Sequence, residues 1–346
     1  MSFRPDYHNL VDAARNRKPA RVPLYDHVVS PVVIEALTGR PFAHLLERDP
    51  EKYFAEFCDF FLKSGYDAVP YEFCITDILP LGGALAHPRP GAVQDREAFL
   101  AYPWAEVPEL YKRAAAPRLD ALRKVMPEGM KAYGGVGNGV FEIAQDLCGY
   151  ESLCILSFED PDTYAELFVK IGDLMCEIWR WFLEEYADLF CVMRFGDDLG
   201  YKSNTMLAHE DIRTHIIPQY RRIIDLVHGA GKPFLLHSCG NIFEVMEDLI
   251  AAGIDAKHSN EDQIADFRVW VERYGSRIGN FGGIDTDHLV RMTDAQLQAH
   301  VEALYRDCAQ GPGIAIGSGN SIPDYVDPHK YQLMTETVRR LRGDYD

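Results

Sequence analysis

Short apolar segments alternate with longer amphipathic segments along the chain. Eight of the short segments are mostly apolar, none exceeds six residues, and each is followed by polar residues or glycine. Near-continuous apolar runs of this length predict parallel strands that are buried on both faces. The predicted strands are Val22–Asp26, Ala68–Phe73, Lys131–Gly135, Phe190–Phe195, Pro233–His237, Ile254–His258, Arg277–Gly282 and Ile314–Gly317.

The intervening segments have helical periodicity. In Ile212–Val227 the apolar positions recur on one stripe, and Phe243–Leu249 and Leu297–Tyr305 show the same spacing. Eight strand–helix alternations predict a parallel α/β protein. Because no GxGxxG follows the first strand and no flexible linker divides the chain, we expect a single (β/α)8 TIM barrel over residues 1–346 rather than an open sheet. A helical extension is expected at about residues 1–20.

Charge and cysteine usage narrow the possible partners. The chain has 53 acidic and 35 basic side chains and a formal net charge of -18, which disfavours nucleic acid as a partner. It has no run of about 18 apolar residues, so no membrane segment is expected. Eight cysteines occur singly, without a CxxC pair, and this pattern is typical of reduced thiols in a cytoplasmic protein.

In a barrel of this kind the reacting groups stand at the carboxyl ends of the strands. That rule selects polar side chains as candidates for catalysis and for substrate binding. The catalytic candidates are Asp77, Asp197, Asp198 and Asp285. The substrate-binding candidates are Tyr25, His27, Tyr133, Asn138, Ser318 and Asn320.

His237 and Cys239 are the most informative pair. Two positions apart at a strand end, both side chains can point the same way, and an imidazole with a thiolate forms half of a zinc site. The alternative is that His237 caps the strand and Cys239 packs as a small apolar residue. The carboxylates of Asp197 and Asp198 can serve as acid, base or metal ligand, or can cap the following turn.

Several motifs together resemble the uroporphyrinogen decarboxylase superfamily. They are the stretch Leu235-Leu236-His237-Ser238-Cys239-Gly240-Asn241, the segment Gly196-Asp197-Asp198-Leu199-Gly200, the turn Gly282-Gly283-Ile284-Asp285 and the ending Gly317-Ser318-Gly319-Asn320. The resemblance covers roughly residues 10–342 and is stronger in the second half. It implies a (β/α)8 barrel.

Within that superfamily the chain resembles the true decarboxylases only in part. Their N-terminal arginine segment corresponds here to residues 23–30, which contain no arginine, and their histidine near the last strand is missing. The stretch Thr76-Asp77-Ile78-Leu79 is similar to their aspartate motif, so Asp77 is the matching residue. A cofactor-free decarboxylase acting on a smaller acid is therefore the alternative function, and a non-catalytic binding protein is a third.

The corrinoid-dependent methyltransferase branch is the closer resemblance. Its members hold zinc with a His-x-Cys pair, which His237 and Cys239 match, and with a further cysteine whose position falls near Ser318. Since serine is a poor zinc ligand, either another group completes the set, with Glu72, Cys74 and Glu261 as the candidates, or this chain has lost zinc. The resemblance implies a zinc-dependent methyltransferase. Methylcobalamin or another corrinoid would come from a separate protein or as free cofactor, since the chain has no DxHxxG motif.

Overall fold

Seven parallel strands form one sheet whose spatial order is the chain order. The computed structural model describes residues 3–87 and 89–345. The strands are β1 (Val69–Cys74), β2 (Ala132–Gly137), β3 (Phe190–Gly196), β4 (Phe234–His237), β5 (Ala256–His258), β6 (Gly279–Ile284) and β7 (Ile314–Ser318). They agree with predicted strands two to eight to within three residues at each end.

Helices precede, connect and follow the strands. They are α1 (His8–Ala14), α2 (Pro31–Thr38), α3 (Pro50–Lys63), α4 (Arg96–Ala101), α5 (Val107–Val125), α6 (Val140–Cys148), α7 (Tyr150–Glu159), α8 (Pro161–Tyr186), α9 (His209–Asp211), α10 (Ile217–Gly229), α11 (Met246–Ala252), α12 (Phe267–Tyr274), α13 (Thr286–Arg291), α14 (Asp294–Cys308) and α15 (Pro328–Leu341). Within the described residues, no helix combines the length and the apolar character that a bilayer-crossing segment needs.

The first predicted strand, Val22–Asp26, is the exception. Leu24 makes only an isolated parallel bridge to Ile316 of β7. Pro23 has no N–H to donate, and the hydroxyl of Tyr133 contacts both the N–H (3.4 Å) and the C=O (2.7 Å) of Asp26. A side chain therefore occupies both backbone groups of Asp26, the last residue of the predicted strand. The described residues contain seven strands rather than eight, in an arrangement consistent with a TIM-barrel-like fold.

The strands of the sheet enclose an inner apolar core. Tyr25 lies between distant strands, with its ring centre 4.9 Å from that of Tyr133 in β2 and 5.0 Å from that of Phe281 in β6. Each of these residues belongs to an inner apolar cluster to which α1 also contributes Leu10 and Ala13. Because α1 contacts β3, β6 and β7, it covers one end of this core. The carboxyl ends of the strands form the other end, which we call the mouth.

Candidate functional site

Buried polar side chains are concentrated at the mouth. They include His27, Arg194, Asp197, His237, His258, Asn260, Asp285 and Ser318. Buried polar groups need hydrogen-bond partners, so their contacts fix the geometry of this region.

Two loops at the mouth touch backbone to backbone. Gly240 follows β4 with φ +80, and a Cβ there would lie 2.1 Å from the carbonyl carbon of Gly200, which follows β3. The Gly200 N–H donates to the Cys239 carbonyl at 3.2 Å. The Cys239 N–H in turn donates to Oδ1 of Asp198 at 2.9 Å. Two glycines thus bring a carboxylate from one loop beside a thiol from the other.

His237, Cys239 and Asp198 form what we call the donor triad. Nε2 of His237 lies 3.4 Å from Sγ of Cys239 and 3.7 Å from Oδ1 of Asp198. One ligand atom from each residue lies within 4.8 Å of the others. In tetrahedral zinc coordination, with bonds of about 2.3 Å to sulfur and about 2.0–2.1 Å to nitrogen and oxygen, such atoms are about 3.4–3.6 Å apart. The spacing and chemistry of the donor triad therefore fit zinc.

Hydrogen bonds set the tautomer of His237. Nε2 of His258 lies 3.0 Å from the carbonyl oxygen of Ser318, which can only accept, so this nitrogen carries the proton. Burial, and then the positive charge of Arg194 and Lys257, lower the pKa of His258 to about 3, although its bond to Ser318 opposes the shift. His258 is therefore neutral, and its Nδ1 accepts from Nδ1–H of His237 at 2.7 Å. The lone pair of His237 is then on Nε2, which faces Cys239 and Asp198.

Two further groups contact the thiol of Cys239. Nδ2 of Asn320 donates to Sγ at 3.3 Å, and Oγ of Ser259 lies 3.4 Å from it. Burial and the nearby Asp198 carboxylate raise the pKa of the thiol. The thiolate form therefore needs a cation beside it, and Asn320, predicted to bind substrate, lies directly against this sulfur.

On its other side His237 stacks on His27, with ring centres 3.7 Å apart and planes at 15°. Glu72 lies 3.6 Å from Nε2 of His27 and accepts from Nη2 of Arg194 at 2.8 Å. Arg194 also donates to the hydroxyl of Tyr25 at 3.0 Å. His27, His237 and His258 also lie within 4.8 Å of one another, but His237 and His258 each use nitrogens in their mutual bond.

Asp198, rather than Glu72, Cys74 or Glu261, is the side chain whose ligand atom lies beside those of His237 and Cys239. Glu72 is occupied by Arg194, as described above. Cys74 packs against β2, because a Cβ on Gly137 would lie only 2.7 Å from its sulfur. Glu261 lines a cleft beside the mouth. Within the described residues, none of the three belongs to a group of converging metal-ligand atoms.

Asp197 faces away from the donor triad, toward α6. Its carboxylate accepts from the N–H of Phe141 (3.0 Å), the N–H of Glu142 (2.8 Å) and the hydroxyl of Tyr220 (2.5 Å). Burial raises its pKa to about 7, against the effect of these bonds. Asp197 joins the end of β3 to the start of α6, and its catalytic role remains a prediction.

The other two predicted catalytic aspartates are also separate from the donor triad. Asp285 caps α13 by accepting from the Asp287 N–H at 2.8 Å, and its other oxygen accepts from the Asp262 N–H at 2.7 Å. Asp77 is exposed in a 3-10 turn, Ile75–Ile78, that follows β1.

Ser318 contacts the carboxylate of Asp26 and the backbone carbonyl of Asn320 through its hydroxyl. Its hydroxyl donates to Oδ1 of Asp26 at 2.5 Å, and its N–H donates to the same oxygen at 2.8 Å. Asp26 is fully buried and also accepts from the hydroxyl of Tyr331 at 3.3 Å. The carbonyl oxygen of Ser318 contacts His258, while its hydroxyl lies against Asp26.

The remaining predicted substrate-binding residues are structural neighbours of the mouth. Tyr25 and Tyr133 are completely buried beneath it. Asn138 has φ 68, accepts from Oγ1 of Thr76 at 2.9 Å and donates to Glu142 at 2.9 Å. Three residues of the site were not among the predicted site residues: Asp26, Arg194 and His258. The only signal for them in the sequence is a position at or near the end of a predicted strand.

Comparisons with known proteins identify a family and a structural neighbour of similar fold. The family model described as uroporphyrinogen decarboxylase (URO-D) matches residues 7–341. A methyltransferase from Methanosarcina mazei has a TM-score of 0.69 at 15% identity, covering 96% of this chain and 98% of that chain. Xylanase B from Clostridium stercorarium F9 has a TM-score of 0.44 at 12% identity, covering 91% and 89%. A search of curated proteins gave no match.

Proposed function

The chain belongs to the uroporphyrinogen decarboxylase (URO-D) family, and on that premise we propose that it is a zinc-dependent methyltransferase. It moves a methyl group between a corrinoid held by a separate protein and a small substrate or acceptor. The observation that carries this proposal is the donor triad, with Nε2 of His237 at 3.4 Å from Sγ of Cys239 and 3.7 Å from Asp198. The fold shared with the Methanosarcina mazei methyltransferase supports it.

His237, Cys239 and Asp198 would hold the zinc. When bound, zinc supplies Lewis acidity that lowers the pKa of a thiol or hydroxyl acceptor and favours its nucleophilic form. His258 keeps the Nε2 lone pair of His237 directed at the site. Asn320 steadies the sulfur through its 3.3 Å contact. The Asp198 side chain is 46% exposed, so this edge of the triad is open to an incoming molecule.

A polar cleft beside the triad is suited to the small substrate. It has a volume of about 340 Å³, which is within the usual range for small-molecule sites. Asn320 both lines the cleft and contacts the sulfur of Cys239, so the cleft and the triad are adjacent. Asp285 and Glu261 lie on its wall, where they would orient substrate. A single domain that spans the whole chain would supply both the cleft and the donor triad.

The test is methyl transfer from methylcobalamin to small thiols by the zinc-loaded protein. The change in absorption of the corrinoid measures the rate of transfer. We expect turnover that requires zinc and that Cys239→Ser lowers at least about 100-fold, since a missing ligand costs more than a missing supporting contact. Cys154→Ser is the matched control, because Cys154 lies in α7 on the outside of the sheet.

Two results would separate the parts of this proposal. Zinc-dependent transfer that speeds up with a small corrinoid protein in place of free methylcobalamin supports the partner. Equal transfer rates for wild type and Cys239→Ser, with Cys154→Ser unchanged, would remove the role of the donor triad, and no transfer by the zinc-loaded wild type with either corrinoid source would remove the methyltransferase proposal.

A further inference from the structure

A second group of metal-ligand atoms lies outside the donor triad. Asp262, in the loop after β5, His288 of α13 and His300 of α14 place one ligand atom each within 4.8 Å of one another. We call these residues the outer cluster. Oδ2 of Asp262 is 3.7 Å from Nε2 of His288, and the rings of His288 and His300 are 4.6 Å apart at 74°. Three separate segments of the chain therefore converge on one point.

The histidines of the outer cluster have unused nitrogens. Nδ1 of His288 and Nε2 of His300 are buried without a hydrogen-bond partner in the part of the chain that the structure describes. Buried polar nitrogens without partners are costly, and two neighbouring imidazoles that each keep one need a reason.

The carboxylate of Asp262 is arranged so that one oxygen stays free. Nδ2 of Asn260 approaches Oδ1 at 3.4 Å, while Oδ2 faces His288. The backbone N–H of Asp262 donates to Asp285 at 2.7 Å, which holds the loop in place. Burial, and the neighbouring carboxylates of Asp266 and Asp285, raise the pKa of Asp262 to about 6, against the effect of His288. Burial lowers the pKa of His300, with His288 and Arg268 adding to the effect.

We propose that Asp262, His288 and His300 bind a second divalent transition-metal ion. Two imidazoles and one carboxylate favour a cation such as Zn²⁺, Co²⁺ or Fe²⁺ over Mg²⁺ and Ca²⁺, which take oxygen ligands. The site contains no sulfur ligand, which distinguishes it from the donor triad. It ties α13 and α14 to the loop after β5, and through Asn260 and Asp285 it supports the wall of the substrate cleft.

The experiment is a Co²⁺ titration of the full chain, with bound metal measured by equilibrium dialysis and elemental analysis. The Cys239→Ser variant isolates the outer cluster. We expect it to retain one equivalent of Co²⁺ that shows ligand-field bands and no thiolate-to-cobalt charge-transfer band. His300→Ala in the same background should weaken this binding at least tenfold. Asp262→Asn should do the same while preserving the backbone bond from Asp262 to Asp285.

His329→Ala is the matched control, because His329 forms an exposed pair with Asp294 at 2.9 Å on the surface. It should leave metal binding unchanged. A Cys239→Ser protein with wild-type circular dichroism and no bound Co²⁺ at micromolar concentrations overturns the second site. Equal Co²⁺ affinity of the Cys239→Ser protein with and without His300→Ala also overturns the second site. The outcome does not depend on methyl transfer, because the charge-transfer band reports the donor triad separately.

Discussion

The carbonyl oxygen of Ser318 lies 3.0 Å from Nε2 of His258 and thereby fixes which nitrogen of a different histidine can bind a metal. His258 presents Nδ1 to His237, and His237 must donate from its own Nδ1 at 2.7 Å. The carbonyl oxygen of Ser318 thus determines which ring nitrogen of His237 can bind a metal, although it acts through His258 and not by direct contact. Such supporting contacts commonly tune metal affinity by 10–100-fold.

We predict that His258 stays neutral between pH 5 and 8. Its pKa is lowered to about 3, chiefly by burial, so at pH 5 the charged fraction is about 1%. The nitrogen-15 NMR signals of the zinc-free protein should show His258 with its proton on Nε2 and His237 with its proton on Nδ1. A His258 resonance that titrates near pH 6.5, or the opposite tautomer at either ring, would contradict the hydrogen-bond assignment.

The role of residue 318 leads to a prediction about its substitution. The resemblance to the methyltransferases puts a zinc-binding cysteine near this position, but the Ser318 hydroxyl donates to the buried Asp26. Ser318→Cys should therefore leave zinc affinity unchanged, because the new thiol faces Asp26. Because a thiol is a weaker hydrogen-bond donor than a hydroxyl, the substitution should lower the free energy of unfolding by about 1–3 kcal/mol. Zinc titration and urea denaturation measure the two effects, and a clear gain in zinc affinity would show that the side chain turns to the metal.

Uroporphyrinogen should not be a substrate. Residues 23–30 contain no arginine, and the Arg194 guanidinium at the mouth is already bound to Glu72 at 2.8 Å and is fully buried. A substrate with many carboxylates would therefore meet little free positive charge on a protein with a net charge of -18. Incubation of pure protein with uroporphyrinogen, followed by chromatography of the products, should show no coproporphyrinogen. Steady conversion would favour the decarboxylase alternative.

The sequence predicted seven of the strands because their apolar runs are a local property. It did not predict that Val22–Asp26 pairs with β7 only at an isolated bridge, and the contact of Asp26 with the Tyr133 hydroxyl joins residues more than 100 positions apart along the chain. The same limit applies to the site. His237 and Cys239 follow from a spacing of two residues, whereas Asp198 becomes their neighbour through the pairing of β3 with β4 and the contact of Gly200 with Gly240.

The adjacent residues Asp197 and Asp198 show this limit most clearly. Next to each other in sequence, they were equivalent candidates for acid, base or ligand. Successive side chains at a strand end point to opposite sides, so only one of them can face the mouth. Asp198 contacts Cys239 and lies 3.7 Å from His237, while Asp197 is fully buried against α6 and Tyr220.

Replacement of the two aspartates by alanine should therefore affect different properties: the stability of the fold for Asp197 and the affinity for zinc for Asp198. Asp197→Ala leaves two N–H groups of α6 and the Tyr220 hydroxyl without their acceptor, and should lower the free energy of unfolding by about 2–4 kcal/mol. Asp198→Ala removes a half-exposed carboxylate and should change stability by less than about 1 kcal/mol. Its effect falls on zinc, whose affinity should drop at least about tenfold because one of three ligands is lost.

Urea denaturation and zinc titration of both variants measure this contrast, with Asp188→Ala as a surface control, since Asp188 forms an exposed pair with Arg123. The zinc affinity of folded Asp197→Ala should stay near that of wild type, since its contacts lie on the helix side of β3. If instead Asp197→Ala loses zinc at unchanged stability and Asp198→Ala does not, the two side chains have been assigned to the wrong faces. The donor triad would then have to be rebuilt around Asp197.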